Sequence, residues 1–335
     1  MIRRRAFITL LGGAAAAWPI TARGQERLPT PTIGWLDQID PNSEPIIGPL
    51  AGFKQGLAEQ GYVVDRNVNL EFRNAENDAQ LMRVLAADLV RRQVAVIVAA
   101  TGGLAHAAKA ATQSIPIVFS MGGDPVKEGL VTSLNRPGGN LTGVAIQAAE
   151  VAAKRLELLH ELVPKARSIA AVTSSLGGAD GSDFSRAQAS GFQAAALAHG
   201  VHLLLYNALT ESDIAGAFAN AVQQGVGALL AGADRRLGSV AAQMISLANH
   251  FSLPTMFFRT SSVAAGALAS YGPDLLDVFR QVGLYTGRIL KGEKPADLPA
   301  RTPTKFELWI NLKTAKTIGL DVSQDMLSIA DQVIE

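Results

Sequence analysis

The stretch Val94-Ala95-Val96-Ile97-Val98 carries no polar residue, and it constrains the fold more than any other part of the chain. A strand with one wet face alternates apolar and polar side chains; a strand without alternation must be covered on both faces, as in a parallel sheet clad by helices. Seven further short apolar runs recur along the chain, making eight candidate strands at 32–36, 68–72, 94–99, 115–119, 169–172, 201–205, 228–231 and 254–258. Between them lie segments with helical spacing, such as Phe53, Leu57 and Gln60 before Gly61, or Leu81, Leu85, Leu89 and Val90 before Arg91-Arg92. This alternation predicts an α/β doubly wound fold. Four strands precede residue 120 and four fall between 169 and 258, separated by Asn135-Arg136-Pro137-Gly138-Gly139-Asn140, so two similar lobes joined by a hinge are expected.

The first 24 residues read as an export signal. Arg3-Arg4-Arg5 is a positive start, residues 6–17 are apolar but too short to span a bilayer, and Ala22-Arg23-Gly24 offers a cleavage site. Arg4-Arg5-Ala6-Phe7-Ile8 has the form of a twin-arginine motif, although an arginine-rich start also enters the general secretory route. A periplasmic location follows. Without that segment 26 basic residues face 29 acidic ones, a net charge of −3, which argues against a nucleic-acid partner. The chain has no cysteine, excluding disulfides, thiolate catalysis and cysteine-ligated metals. No nucleotide-binding, hydrolase-elbow or zincin motif occurs, and no cofactor or metal is expected. His199 and His202 straddle Gly200 and so cannot present a helical ligand pair, while His160 and His199 read as helix-end residues.

Loops after parallel strands face a shared crevice where free backbone N–H groups favour anions. Here they are small and hydroxyl-rich: Thr101-Gly102-Gly103, Ser120-Met121-Gly122-Gly123-Asp124, Thr173-Ser174-Ser175, Gly232-Ala233-Asp234 and Arg259-Thr260-Ser261-Ser262. Asp124 can act as a base or an amine acceptor, or simply turn the chain at its Asp-Pro step; His106 can look into the crevice or lie on the surface.

Several stretches together resemble the substrate-binding proteins of ABC transporters, in the tryptophan/tyrosine-type branch. They are the N-terminal Arg4 to Gly13, Ile115-Pro116-Ile117-Val118-Phe119, Gly123-Asp124-Pro125-Val126, Leu134-Asn135-Arg136-Pro137-Gly138-Gly139-Asn140-Leu141-Thr142-Gly143-Val144, Ser270-Tyr271-Gly272, and Gly287 to Pro295. The resemblance implies the type I periplasmic binding fold with three crossings between lobes, near 142–143, 264–271 and 299–303. The first lobe would hold 28–143 and 266–298, and the second 144–265 and 299–335. It implies a monomeric carrier that binds a carboxylate-bearing solute and hands it to a membrane permease with its ATPase. It also implies ligand contacts at Asp37 or Gln38, Thr101, Gly102, Ser120, Asp124, Thr142, Ser174, Ser175, Asp234 and Tyr271. One position departs from the pattern: relatives that bind amino acids tend to place an acid after the strand ending in Phe257-Phe258, where this chain has Arg259. A guanidinium there favours a second carboxylate over an ammonium. The competing expectation is an exported enzyme using Asp124 with His106 as an acid–base pair, or a sensory domain binding the same kind of ligand.

Overall fold

The computed structural model describes residues 30–38, 42, 44–76, 78–174, 183–233 and 235–335. The export signal read in residues 1–24, and with it Ser175 and Asp234, lies outside the described residues. Residues 31–335 form one compact unit.

The first half runs β1 (Thr32–Asp37), α1 (Glu44–Glu59), β2 (Asn69–Asn74), α2 (Ala79–Arg91), β3 (Val96–Ala99), α3 (Gly102–Ala111), β4 (Ile117–Met121) and β5 (Leu141–Ala145). The second runs α4 (Ala148–Leu162), β6 (Ser168–Thr173), α5 (Asp183–His199), β7 (His202–Asn207), α6 (Glu211–Gln223), β8 (Ala228–Ala231), α7 (Arg235–Ser239), α8 (Ala241–His250), β9 (Thr255–Phe257) and α9 (Thr260–Ala264). The last part holds β10 (Ala269–Pro273), α10 (Leu275–Leu290), β11 (Phe306–Asn311), α11 (Leu312–Thr317), α12 (Gln324–Ile329) and β12 (Gln332–Ile334).

Two sheets result. The first has the order β2-β1-β3-β4-β5 and is parallel throughout. Val96 and Val98 of β3 pack into a core with Phe53 of α1 and Val278, Phe279 and Val282 of α10, while Ile97 and Ala99 pack against Leu89 of α2 and Leu104 of α3. Both faces of β3 are thus dry, which is why its sequence does not alternate. The second sheet has the order β12-β11-β10-β9-β8-β6-β7, with one antiparallel pair, β10 and β11. Its faces are covered by α4 and α5 on one side, through Leu156, Leu159 and Phe192, and by α6 and α8 on the other, through Phe218 and Met244.

Helices α1 and α10 approach closely because glycines face backbone at the contact. A Cβ on Gly56 would lie 1.9 Å from the Arg280 carbonyl oxygen, and one on Gly283 would lie 2.2 Å from that of Phe53.

The connections between the halves differ in detail from the expected boundaries. β5 stays in the first sheet to Ala145, two residues past the expected crossing at 142–143. Residues 269–273, expected with the first lobe, form β10 of the second sheet, since Ala269 and Ser270 pair with Met256 and Phe257 and the whole segment pairs with residues 306–310. Near the third crossing, Arg301 runs beside β5: its N–H donates to the Gly143 carbonyl at 2.9 Å, and its own carbonyl accepts from Ala145 N–H at 2.8 Å.

Candidate ligand-binding cleft

Three strand ends of the first sheet, those of β1, β3 and β4, carry expected residues. At the end of β1, Asp37 is fully buried, and its carboxylate accepts Trp35 Nε1–H at 3.0 Å and the Gln38 N–H at 2.7 Å. Trp35 is itself pinned between Phe53 at 4.8 Å and Phe279 at 5.7 Å, so the acid is anchored to the core below it. After β3, Thr101 caps α3, its hydroxyl accepting Leu104 N–H at 3.4 Å, and Gly102 is buried beside it. On β4, Ser120 is buried and leads through Met121 to Gly122.

Asp124 takes the turn-forming role. Its Oδ1 accepts the N–H groups of Val126 at 2.9 Å and Lys127 at 3.3 Å, holding the Asp-Pro loop closed. His106 faces Glu128 at 3.4 Å, not Asp124, so the expected acid–base pair is not assembled.

The second sheet presents Ser174 at the end of β6, 5% exposed, with Ala233 after β8 and Phe258 after β9. One residue outside the expected contacts completes this wall. Phe184, in the first turn of α5, meets Phe258 edge to face with centroids 5.9 Å apart. The same Phe184 ring lies on Gly122 of the first lobe, where a Cβ would come within 1.9 Å of its Cδ2. Phe184 and Gly122 therefore touch across the two lobes, and only a residue without a side chain admits the ring there. Gly-Gly turns at strand ends are common, which is why the sequence alone could not single out Gly122.

The remaining expected contacts lie elsewhere. Thr142 is fully buried in β5, and its hydroxyl donates to the Leu298 carbonyl at 2.7 Å, a contact beside the hinge. Tyr271 stacks on Phe306 at 5.9 Å and lines a cavity of about 230 Å³ with Ile146, Gln147, Lys154, Thr302 and Pro303, on the hinge side of α4. Burial pushes its phenol up from the ordinary value. Arg259, just ahead of α9, lines a different cavity of about 190 Å³ together with Gly48 and Pro49 of α1 and the hinge residues Pro273 and Asp274. Thr101 and Gly102 follow β3, Ser120 lies one residue before the end of β4 and Ser174 follows β6, whereas Tyr271 and Arg259 line two separate hinge-side cavities. Among the described residues no group of three or more His, Asp or Glu is gathered to hold a metal, and no helix is long and apolar enough to cross a membrane.

Comparison with known proteins places this architecture. A tyrosine-binding protein of Clostridioides difficile (strain R20291) is 29% identical over 271 residues, 80% of this chain and 76% of that protein. A solved ABC domain from Streptococcus pneumonia in complex with L-Trp is 28% identical, with a TM-score of 0.79 over 91% of this chain and all of that one. A conserved domain protein from Vibrio cholerae is 26% identical, with a TM-score of 0.81 over 91% of this chain and 99% of that one. The two-lobed architecture is the type I periplasmic binding fold. Residues 46–334 match the family described as ABC transporter substrate binding protein, and the chain belongs to that family.

Proposed function

We propose that this protein is the extracytoplasmic binding component of an ABC importer for an aromatic amino acid or a related aromatic carboxylate, and that it delivers this solute to a membrane permease. The observation that carries the reading is the Phe184–Phe258 pair, meeting edge to face at 5.9 Å on the second lobe and touching Gly122 of the first. An aromatic corner on one lobe, seated against bare backbone of the other, gives a flat apolar group a wall to pack against when the lobes close. The hydroxyls of Thr101, Ser120 and Ser174 at the strand ends supply hydrogen bonds for its polar end. The likeness to a tyrosine-binding protein and to a structure holding L-Trp supports the same ligand class.

The test is thermal unfolding of the purified chain, first denatured and refolded to strip any carried solute, against aromatic amino acids, aromatic carboxylates, aliphatic amino acids and dicarboxylates. A true ligand at about 100 times its Kd adds about 2.7 kcal/mol of stability, a visible shift in the midpoint. Aromatic compounds should stabilise the chain, and Gly122→Val should weaken their binding about tenfold by holding Phe184 off its seat. Stabilisation by dicarboxylates or aliphatic amino acids alone would overturn the aromatic assignment.

A further inference from the structure

Arg155 lies on α4 and is fully buried. One terminal nitrogen donates to the carbonyls of Ala231 and, at 2.9 Å, Met256; the other donates to Gln188 Oε1 at 3.4 Å. The guanidinium also lies over the rings of Phe192 at 5.6 Å and Phe258 at 6.0 Å. Among the described residues no carboxylate pairs with it. Burial draws its pKa down to about 9, which leaves it cationic at neutral pH. A cation enclosed by protein without an acid is costly, and carbonyls and ring faces offset that cost only in part.

The surroundings are equally one-sided. Arg155 Nε, Gln188 Nε2, Ser185 Oγ and Thr173 Oγ1 are all buried and all lack a hydrogen-bond partner. Native interiors rarely leave such groups unmet; Arg155 Nε and Gln188 Nε2 can only donate and the two hydroxyls can donate as well, so an acceptor within reach satisfies them. They occupy one layer. Thr173 continues the row of Ile169 and Ala171 that faces α4 and α5, while Ser185 and Gln188 sit three residues apart on α5. The layer reaches the cleft wall through Phe258 and through Ala233, whose N–H donates to Gln188 Oε1 at 3.0 Å.

We propose that Arg155, with Gln188, Ser185 and Thr173, is a buried cationic anchor that makes the second-lobe wall select ligands bearing an anionic group. Arg155 is here a positioning residue: its charge acts on a carboxylate lodged at the ends of β6, β8 and β9, with Gln188 between. The inference rests on the carrier reading and assigns to that site the element that reads the ligand's charge. It also explains an arginine on the core-facing side of an amphipathic helix, flanked by the buried Val151, Ala152, Leu156 and Leu159.

Gln188→Glu tests it, because the substitution is nearly isosteric and hands Arg155 the acid it lacks. Binding is measured by titration calorimetry for two carboxylate and carboxamide pairs, L-tyrosine with L-tyrosinamide and phenylacetate with phenylacetamide. The wild-type chain should prefer a carboxylate over its amide by about tenfold or more, the scale of one charge acting across a partly buried site. Gln188→Glu and Arg155→Met should bring that ratio close to one, and Arg155→Lys should retain part of it. An unchanged ratio in Gln188→Glu overturns the anchor, since a purely structural arginine would not alter charge discrimination. The ligand-free Gln188→Glu protein should also melt higher than wild type. If none of the four compounds binds the wild-type chain, the aromatic-ligand reading fails, and the same comparison made with L-leucine against L-leucinamide and succinate against succinamide decides the anchor: a carboxylate preference that Gln188→Glu removes supports it, and a ratio that Gln188→Glu leaves unchanged overturns it.

Discussion

A hydroxyl at the end of a strand can serve a ligand or its own backbone, and Thr142 shows how tertiary contacts choose between the two. In sequence it stands among the small polar residues that line binding crevices; in the structure the chain at 298–301 runs alongside β5 and supplies a carbonyl for it. Thr142→Val keeps the shape and strands that buried carbonyl, so the unfolding free energy should fall by about 1–3 kcal/mol, read from urea titration, with ligand affinity unchanged. Asp124 divides the two uses, its Oδ1 accepting two N–H groups of its own loop while Oδ2 lies 3.8 Å from Lys127 Nζ. Arg155 is the converse case: a long charged side chain in an apolar helix face is visible in the sequence as an anomaly, but its meaning depends on which strand ends it reaches.

Among the elements, the eight strands readable as apolar runs all form. The four that escape reading have physical reasons to do so. β5 (Leu-Thr-Gly-Val-Ala) and β10 (Ala-Ser-Tyr-Gly-Pro) carry small and polar residues because they lie next to the hinge, where backbones pass close together. β12 is only three residues long, and β11 alternates as a partly exposed strand, a period the search for fully buried runs passes over. Helix pairing is likewise invisible to periodicity. Gly52 and Gly56 on α1 meet α10 backbone, and Gly283 on α10 meets α1 backbone. Gly56→Ala should therefore destabilise the chain by about 1–3 kcal/mol through overpacking. Gly216→Ala on α6, where a Cβ would meet nothing within 4 Å, should instead stabilise it by about 0.5–1 kcal/mol. Both are measured as changes in chemical-denaturation midpoint at constant slope.

On the scale of the whole molecule, the crossings between lobes are tied by charge as well as by backbone. Asp274 caps α10, accepting the N–H groups of Leu276 at 3.0 Å and Asp277 at 3.2 Å, and pairs with Lys305 of the third crossing at 2.8 Å. Burial works to raise its pKa, but the Lys305 ammonium and the two N–H groups together outweigh burial and hold it below the usual carboxylate range. Lys305, facing both Asp274 and Glu307, is correspondingly raised. A carboxylate whose folded pKa is depressed contributes stability above its unfolded value, about 4, and loses it as the pH falls through the lower folded value. Wild-type protein should therefore lose more of its melting temperature between pH 5 and pH 3, roughly, than Asp274→Asn, which keeps the cap but not the charge. Parallel melting curves for the two would show that the pair contributes nothing at the hinge.

The alternation of apolar runs and amphipathic segments determined the layered parallel architecture and the two-lobe division, because burial on both faces of a strand is a local demand written into its composition. The strand-end loops were legible for the same reason, since the topology delivers them to one crevice. Tertiary structure alone decided what those side chains touch: Thr142 and Asp124 bond to backbone nearby, and Tyr271 and Arg259 line separate hinge-side cavities. It also brought Phe184 to Gly122 and set Gln188 of α5 against the buried Arg155 of α4. Those contacts join residues far apart along the chain, and no local periodicity records the packing that brings them together.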